Sequence, residues 1–393
     1  MEKRPLRKRR VFFYVQHLLG IGHLARASRI ARALSERDFE VTMVTGGMPV
    51  PGFPGEDLKT VVLPPVTAGD KGFSGLSDGN GNPVTSAFQE HRRNLLLEAL
   101  HQTEPDVVVI EAFPFGRRQM RFELLPLLDA IAAMEPRPLV ATSLRDILQE
   151  RIKPGRAEET VDLVRAHFDL VLVHGDPAFA RIEETFPLAS EIEDKVFYTG
   201  LVAPPPPASP AEKFDVLVSA GGGAVGKELI GAALGAAMLL PEGLRWCLVT
   251  GPNLPQADFD AFAAMAPNGA GLFRFRQDFA SLLAGARLSV SQAGYNTVCD
   301  TLRAGCASLL IPFTAGGETE QMTRAERLEK LGLAAVLPEE GITPQELARK
   351  IEEMLSRPKP DIPPLDLDGA VKTAVILEQR LLSTKAVRPS RSA

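Results

Sequence analysis

Residues 288–324 read LSVSQAGYNTVCDTLRAGCASLLIPFTAGGETEQMTR. A short apolar run, a glycine turn and a polar helical pattern follow one another, twice over. The first run, Leu288 to Ser291, meets a turn at Gly294; the second, Ser308 to Pro312, meets Gly316-Gly317. Short β-branched runs alternating with helices predict a parallel sheet covered on both faces. Polar side chains crowd the helix entrances: Asn296, Thr297 and Asp300 at one, Glu318, Glu320 and Gln321 at the other. A carboxylate one turn into a helix accepts two hydroxyls at once, and an adjacent Glu-Gln pair grips several more. This equipment suits a ribose and a hexose, the two polyol parts of a nucleotide sugar.

The alternation extends over nearly the whole chain. Val11–Val15, Val41–Thr45, Val107–Ile110, Leu139–Thr142 and Leu170–Val173 read as strands, with a helix over 24–37 between the first two. The run VAPPPPASPA (203–212) is stiff and continues neither a sheet nor a helix, so it reads as a linker. Beyond it the pattern restarts: Val216–Ser219, Trp246–Thr250, Leu272–Phe275, Leu288–Ser291, Ser308–Ile311 and Ala334–Leu337. Thr343, Pro344 and Glu346 form a capping box that opens a helix over 344–355, and a last helix covers 370–382. The expected layout is a basic disordered head (1–10), a first α/β domain (11–202), the linker (203–212) and a second α/β domain (213–357). A C-terminal segment (358–383) and a disordered tail (384–393) complete it. A chain of 393 residues exceeds one ordinary core, in agreement with two domains.

Composition narrows the function. Apolar residues are 45% and charged residues 24%, the balance of a globular protein, and no apolar run is long enough to span a bilayer. Residues 1–10 hold six Lys/Arg against one Glu, so the rest of the net −5 chain is strongly acidic. That excludes nucleic acid as the main partner. The basic head suits peripheral contact with an anionic membrane, against the plainer reading of a solvated terminus. The three cysteines, Cys247, Cys299 and Cys306, lack metal spacing, which predicts a reduced cytoplasmic protein.

Two glycine loops open the two domains. In the first, Gly20-x-Gly22-x-x-Ala25 matches the dinucleotide fingerprint, but the second strand ends Val44-Thr45-Gly46-Gly47 without the carboxylate that would hold a ribose. A nicotinamide or flavin cofactor is therefore not expected. What remains is a turn that places His23 at a helix N-terminus, where imidazolium is disfavoured and a neutral, proton-accepting ring is expected. A plain capping role for His23 is the alternative. The second loop, Ser219 to Lys227, carries Gly221, Gly222 and Gly223; its amides and the helix dipole suit a diphosphate, with Lys227 adding a charge. The Gly-Lys-Ser/Thr ending of a Walker loop is missing. Asp366-Leu367-Asp368 lies after a proline run rather than at a strand end, so no metal is expected.

The Gly-x-Gly-His loop, the second glycine loop, the Ser-x-x-Gly turn with an acid six residues on, and the Gly-Gly-x-x-Glu-Gln turn together resemble a known family. It is that of the GT-B glycosyltransferases of family 28, which includes the enzyme that adds N-acetylglucosamine to the lipid-linked peptidoglycan precursor. The resemblance implies two Rossmann-like domains facing a central cleft, with acceptor in the first and donor in the second. It implies that Asp300 holds the ribose, that Phe275 and Arg276 present backbone to the base, and that Glu320 and Gln321 hold the donor sugar. It further implies that Gly294 and Tyr295 lie against the diphosphate, that His23 is the base, and that the final helix crosses back to the first domain. Three departures stand out: Gly223 where the family has serine, Asp300 where it has glutamate, and Gly-x-Gly-His-x-x-Arg in place of Gly-Gly-x-Gly-Gly-His. The last variant is closer to a UDP-sugar hydrolase of pseudaminic acid synthesis.

The expected reaction is inverting, metal-independent transfer from a nucleotide-diphospho sugar, expected as UDP-linked, to a hydroxyl, with lipid-linked and polysaccharide acceptors both open. Glu111 or Asp146, both just past strand ends, is expected to orient His23. Gly20, Gly22, Arg117, Arg145 and His174 are the acceptor-side candidates. The pair Arg117-Arg118 reads either as a contact for a phosphorylated acceptor or as a surface pair, and the glycine-rich stretch 67–90 as a lid loop. Two rivals remain: hydrolysis or epimerisation of the same donor, and a non-catalytic nucleotide-sugar-binding subunit.

Overall fold

The computed structural model describes residues 7–18, 20–69, 72–149, 154–221, 226–251, 254–314, 317–358 and 365–387. The chain forms two compact units, Met1–Val202 with Asp368–Ala393, and Ala203–Leu367.

In the first unit, apolar runs buried on both faces become parallel strands. They are β1 (Arg9–Val15) followed by α1 (Gly22–Ser35), β2 (Phe39–Thr45), β3 (Lys59–Val62), an antiparallel hairpin of β4 (Val66–Gly69) and β5 (Gly72–Asp78), and α2 (Ser86–Thr103). Then come β6 (Val107–Glu111), α3 (Arg121–Ala132), β7 (Leu139–Arg145), α4 (Arg156–His167), β8 (Leu170–His174) and β9 (Val196–Tyr198). The seven-stranded sheet has the order β3-β2-β1-β6-β7-β8-β9. The order reverses between β1 and β6, which opens a crevice at the carboxyl ends of those two strands.

The second unit repeats the plan. It runs β10 (Val216–Ser219), α5 (Lys227–Leu239), β11 (Trp246–Val249), α6 (Gln256–Met265), β12 (Ala270–Phe273) and α7 (Phe279–Gly285). It continues with β13 (Leu288–Ser291), α8 (Tyr295–Ala304), β14 (Ala307–Leu310), α9 (Glu320–Lys330), β15 (Ala334–Val336) and α10 (Pro344–Ser356). Its six strands lie in the order β12-β11-β10-β13-β14-β15, with the reversal between β10 and β13. Thr343 caps α10 by accepting the Glu346 N–H at 3.2 Å. The last helix, α11 (Gly369–Val387), packs on α1 of the first unit, where Glu378 pairs with Arg9 and Arg37.

Three expectations change. The basic head is shorter than ten residues: β1 starts at Arg9, and Arg7, Lys8, Arg9 and Arg10 form ion pairs with Glu104, Asp38, Glu378 and Glu104. Residues 67–90 are not a bare loop, because the β4–β5 hairpin and the first turn of α2 occupy much of that stretch. The tail is helical as far as Val387; residues 388–393 lie outside the described residues, as do 1–6.

A buried polar knot ties the strand ends of the first unit together. Arg92 on α2 donates to Glu123 on α3 at 2.6 Å, to Gln16 Oε1 at 2.6 Å, and to the carbonyls of Gly46 and Pro64. Tyr14 donates its hydroxyl to Glu123 at 2.5 Å. A side chain at Gly46 would collide with the Arg92 guanidinium, which is why that turn holds glycine. Arg92 and Glu123 are fully buried, so neither charge has water to fall back on. Arg92→Ala should therefore lose about 3–5 kcal/mol by leaving Glu123 buried and unpaired. Glu378→Ala, which breaks partly exposed pairs, should lose no more than about 1 kcal/mol. Urea denaturation of the two variants measures the contrast; equal losses would remove the knot from this role.

Candidate functional site

Each crevice collects the glycine turns and polar residues of its own unit. In the first, the chain leaves β1 through Gln16, His17 and Gly20 and enters α1 at Gly22, with His23 in the first turn. Across the reversal point, β6 ends on Glu111. His23 Nδ1 lies 2.6 Å from Glu111 Oε1. Arg26, three residues along α1 on the same face, donates to that same oxygen.

Charge fixes the proton positions. Glu111 is wholly buried, which alone would raise its pKa, but His23, Arg26 and Arg117 outweigh burial and bring it down to about 2. An ionised carboxylate only accepts, so His23 Nδ1 carries the ring proton and Nε2 keeps its lone pair. Burial, then Arg117 and Arg145, lower the His23 pKa to about 3 against the opposing pull of Glu111. The ring is neutral at physiological pH. It remains 17% exposed, so a ligand can reach it.

The other acceptor-side candidates separate. Asp146 is not the partner of His23; its Oδ1 accepts the Ile147 N–H at 2.9 Å, and Glu111 holds the ring. His174 offers no free face, because it is completely buried. Its Nδ1 is 2.8 Å from Thr199 Oγ1 and its Nε2 2.7 Å from Ser143 Oγ, and burial keeps it well below its ordinary pKa. Arg118 turns outward to Glu159, so the sequence pair Arg117-Arg118 is split and only Arg117 acts on His23. Arg145 ends β7, level with His174 on β8. Around Gly20 there is room for a side chain, so packing does not demand glycine there.

Sequence reasoning passed over His17 and gave Arg26 no role. His17 Nε2 lies 2.8 Å from the Met48 carbonyl, while its Nδ1 is buried with no hydrogen-bond partner. Its signal was its place two residues past the end of β1. That of Arg26 was its spacing after His23, which puts both on one face of α1.

In the second unit, Gly221, two residues past the end of β10, has φ 75°. A side chain at Gly251 would lie 2.6 Å from the Gly221 carbonyl, so the turns after β10 and β11 touch. Gly222 and Gly223 lie outside the described residues. Gly294 caps α8, and Tyr295 is buried beneath Arg324, 5.7 Å from ring centroid to guanidinium. Asp300, on the second turn of α8, is partly exposed. Gln321 Oε1 accepts the Phe313 N–H at 3.2 Å. Phe275 is 66% exposed, while the Arg276 guanidinium is held by Asp278 and Glu212 over the Phe273 ring.

Two donor-side expectations change. Lys227 pairs with Asp258 on α6 at 2.6 Å, so its charge is already matched. Glu320 is buried against Arg324 at 2.7 Å, and Arg324 donates to the Ala293 carbonyl at 3.0 Å. Glu320 thus braces the Gly294 turn from within rather than reaching outward, and Gln321 is the outward member of that pair.

The acid response of the fold follows from the His23–Glu111 pair. His23 binds its proton near pH 6.5 when unfolded and near 3 when folded, so its contribution is complete above about 6.5 and is lost as pH falls towards 3. Glu111 acts in the same direction, between its unfolded value near 4.5 and about 2. Wild type should lose roughly 3 kcal/mol between pH 7 and pH 4 through His23 alone, and His23→Gln should flatten that slope. Denaturant titrations at the two pH values read this directly; identical slopes would mean that His23 titrates normally in the fold.

Comparison with known proteins matches residues 216–364 to the glycosyltransferase family 28 C-terminal domain. The UDP-N-acetylglucosamine–N-acetylmuramyl-(pentapeptide) pyrophosphoryl-undecaprenol N-acetylglucosamine transferase of Thermotoga neapolitana is 24% identical over 54% of this chain and 57% of its own. Its counterpart in Erythrobacter litoralis is 26% identical over 86% of this chain and 80% of its own. The match to the first of these spans little more than half of that relative. Among solved structures, the calicheamicin glycosyltransferase CalG4 superposes with TM-score 0.59 at 18% identity, covering 96% of this chain and 95% of that one. MurG of Acinetobacter baumannii does so with TM-score 0.57 at 16% identity, covering 96% and 99%. The chain thus has the fold of the GT-B glycosyltransferases, and residues 216–364 match the family 28 C-terminal domain.

Proposed function

We propose that this protein is an inverting glycosyltransferase that moves a sugar from a nucleotide-diphospho sugar to a hydroxyl acceptor without a metal ion. One observation carries the reading beyond its family: a neutral, reachable imidazole held by a buried ionised carboxylate, at the strand-order reversal of the first sheet. His23 Nε2 takes the acceptor proton as the acceptor oxygen attacks the anomeric carbon. The bond from that carbon to the diphosphate breaks, the electron pair leaves on the nucleotide diphosphate, and the configuration inverts. Glu111 accepts from Nδ1 throughout and stabilises the imidazolium that forms.

The donor falls to the second unit. Amide groups at the Gly221 and Gly294 turns suit the leaving diphosphate, since charge grows there in the transition state. Asp300 suits the ribose, Gln321 the sugar, and the backbone at Phe275 and Arg276 the base. The relatives are named for UDP-N-acetylglucosamine, and a UDP-linked donor is the reading adopted for this chain.

Two substitutions separate the halves. His23→Gln keeps a donor to Glu111 but accepts no proton, so turnover should fall ~10²–10⁴-fold with nucleotide-diphosphate affinity unchanged. Asp300→Ala should weaken nucleotide-diphosphate binding by ~1.5–3 kcal/mol, the worth of hydrogen bonds to a charged acceptor. Calorimetry and a nucleotide-release assay, run also in excess EDTA, provide the measurements. Full activity in His23→Gln would dismiss it as the base, and activity abolished by EDTA and restored by magnesium would dismiss metal independence.

A further inference from the structure

The first unit carries a cavity that the His23–Glu111 pair does not use. It measures about 230 Å³ and is lined by Gly75, Leu76, Val84, Gln89 and Gln119. Gly75 and Leu76 lie on β5, Val84 before α2, Gln89 in the first turn of α2, and Gln119 in the 3-10 turn Arg118–Met120. Gly75 is informative. A glycine inside a strand weakens it and often marks a place that a ligand approaches closely. Nothing in the backbone demands glycine here: its φ lies outside the left-handed region, and a side chain would meet no atom within 4 Å. The paired strand is irregular beside it, with a register shift at Ala68 and Gly69 on β4, and such bulges are common next to binding sites.

The cavity lies beside the crevice. β4 runs against the chain that leaves β1: the Ala68 N–H donates to the Leu18 carbonyl at 3.4 Å, and Gln16 Nε2 donates to the Val66 carbonyl at 3.4 Å. Leu76 lies opposite Ala68, so two sideways steps of ~4.8 Å separate it from Leu18, which precedes the Gly20–His23 turn. On the other side, the chain that leaves β6 after Glu111 turns at Arg117, whose φ of 56° is left-handed, and brings Gln119 to the cavity wall. The cavity is thus bracketed by the two segments that carry His23 and Glu111.

None of the five lining residues is ionisable. Each carboxamide, Gln89 and Gln119, offers an acceptor oxygen and two N–H donors, while Leu76 and Val84 supply apolar surface. Hydroxyls around a C–H ring match that mixture. A carboxylate or phosphate would lose its hydration there without gaining a counter-charge. The space equals that of roughly seven or eight liquid waters, below the ~300–1,000 Å³ of pockets that enclose a drug-sized ligand, and so suits a single sugar ring. We propose that this cavity binds an uncharged sugar ring of the acceptor, beyond the one whose hydroxyl reacts. This rests on the reading of the first unit as the acceptor's. The acceptor then carries at least two rings, and Gln89 and Gln119 are specificity-determining residues for the second.

The test uses the full chain with labelled glutamine side chains and no donor sugar. Methyl glycosides of glucose, galactose, mannose and N-acetylglucosamine are titrated in turn, with D-glucuronate as the charged ring, while the carboxamide signals of Gln89 and Gln119 are followed. At least one neutral glycoside should shift both signals saturably, and glucuronate should bind more weakly than that glycoside. Gln89→Leu and Gln119→Leu should each weaken binding about tenfold, the worth of one or two neutral hydrogen bonds. Gly75→Phe should abolish binding while its urea midpoint stays at or above that of wild type; should that variant be unstable, the two Leu variants decide. In turnover with a two-ring acceptor, Gln89→Leu should raise KM and leave kcat nearly unchanged, since Gln89 does not touch the reacting atoms. No saturable shift with any neutral glycoside, equal binding of glucuronate, or full binding in both Leu variants overturns the proposal. The titration needs neither donor nor turnover, so loss of the transferase reading leaves its outcome standing. Conversely, an inert cavity leaves the tests of His23 and Asp300 untouched.

Discussion

The first unit turns on one buried carboxylate. Glu111 has no exposed surface, and an isolated ionised group there would be several kcal/mol unfavourable. The fold answers with Arg26 and His23 from a single face of α1 on one oxygen. That arrangement sets three properties together: Glu111 stays ionised, His23 keeps its proton on Nδ1, and Nε2 is left with a lone pair. None survives alone. A neutral Glu111 could donate and so release the tautomer, and without Arg26 the carboxylate would lose its fixed counter-charge.

The parallel sheets explain why this pair forms where it does. In a doubly wound sheet the helices after neighbouring strands go to opposite faces at the reversal of strand order, and the carboxyl ends stay uncovered there. β1 and β6 flank that point in the first unit, β10 and β13 in the second. His23 follows β1 and Glu111 ends β6, while Gly221 follows β10 and Gly294 follows β13. The same geometry thus places an imidazole–carboxylate pair at the reversal of one sheet and two glycine turns at that of the other. The Arg92 knot supports the first set from below by tying the exits of β1 and β2 to the start of β4.

Much of this was legible in the residues. Fully buried parallel strands are continuous apolar runs, and those at 11–15, 107–110, 216–219 and 288–291 lie within or match the strands observed. Short edge strands were not legible: β3 and β9 each have at most four residues, and their packing rather than their pattern makes them strands. The β4–β5 hairpin was hidden because glycine-rich sequence reads as a loop until its cross-strand bonds are seen. At the site, position was readable but direction was not. His23 and Glu111 were both candidates, yet only coordinates decide between Glu111 and Asp146. Glu320 and Lys227 had suitable chemistry for a ligand, but Arg324 and Asp258 claim them: the first pair is spaced i,i+4 on α9 and could have been read from the sequence, whereas the second joins two helices and leaves no local pattern. The αL turn at Arg117 is likewise invisible in sequence, since arginine gives no hint of positive φ.

The central claim is that His23 and Glu111 act as one unit in proton transfer. A double-mutant cycle on single-turnover transfer rates, with His23→Gln, Glu111→Gln and the pair, tests it most directly. The account predicts strong coupling: each single variant is slow, and the double variant is scarcely slower than His23→Gln. Losses that simply add, with no coupling between the two positions, would contradict it.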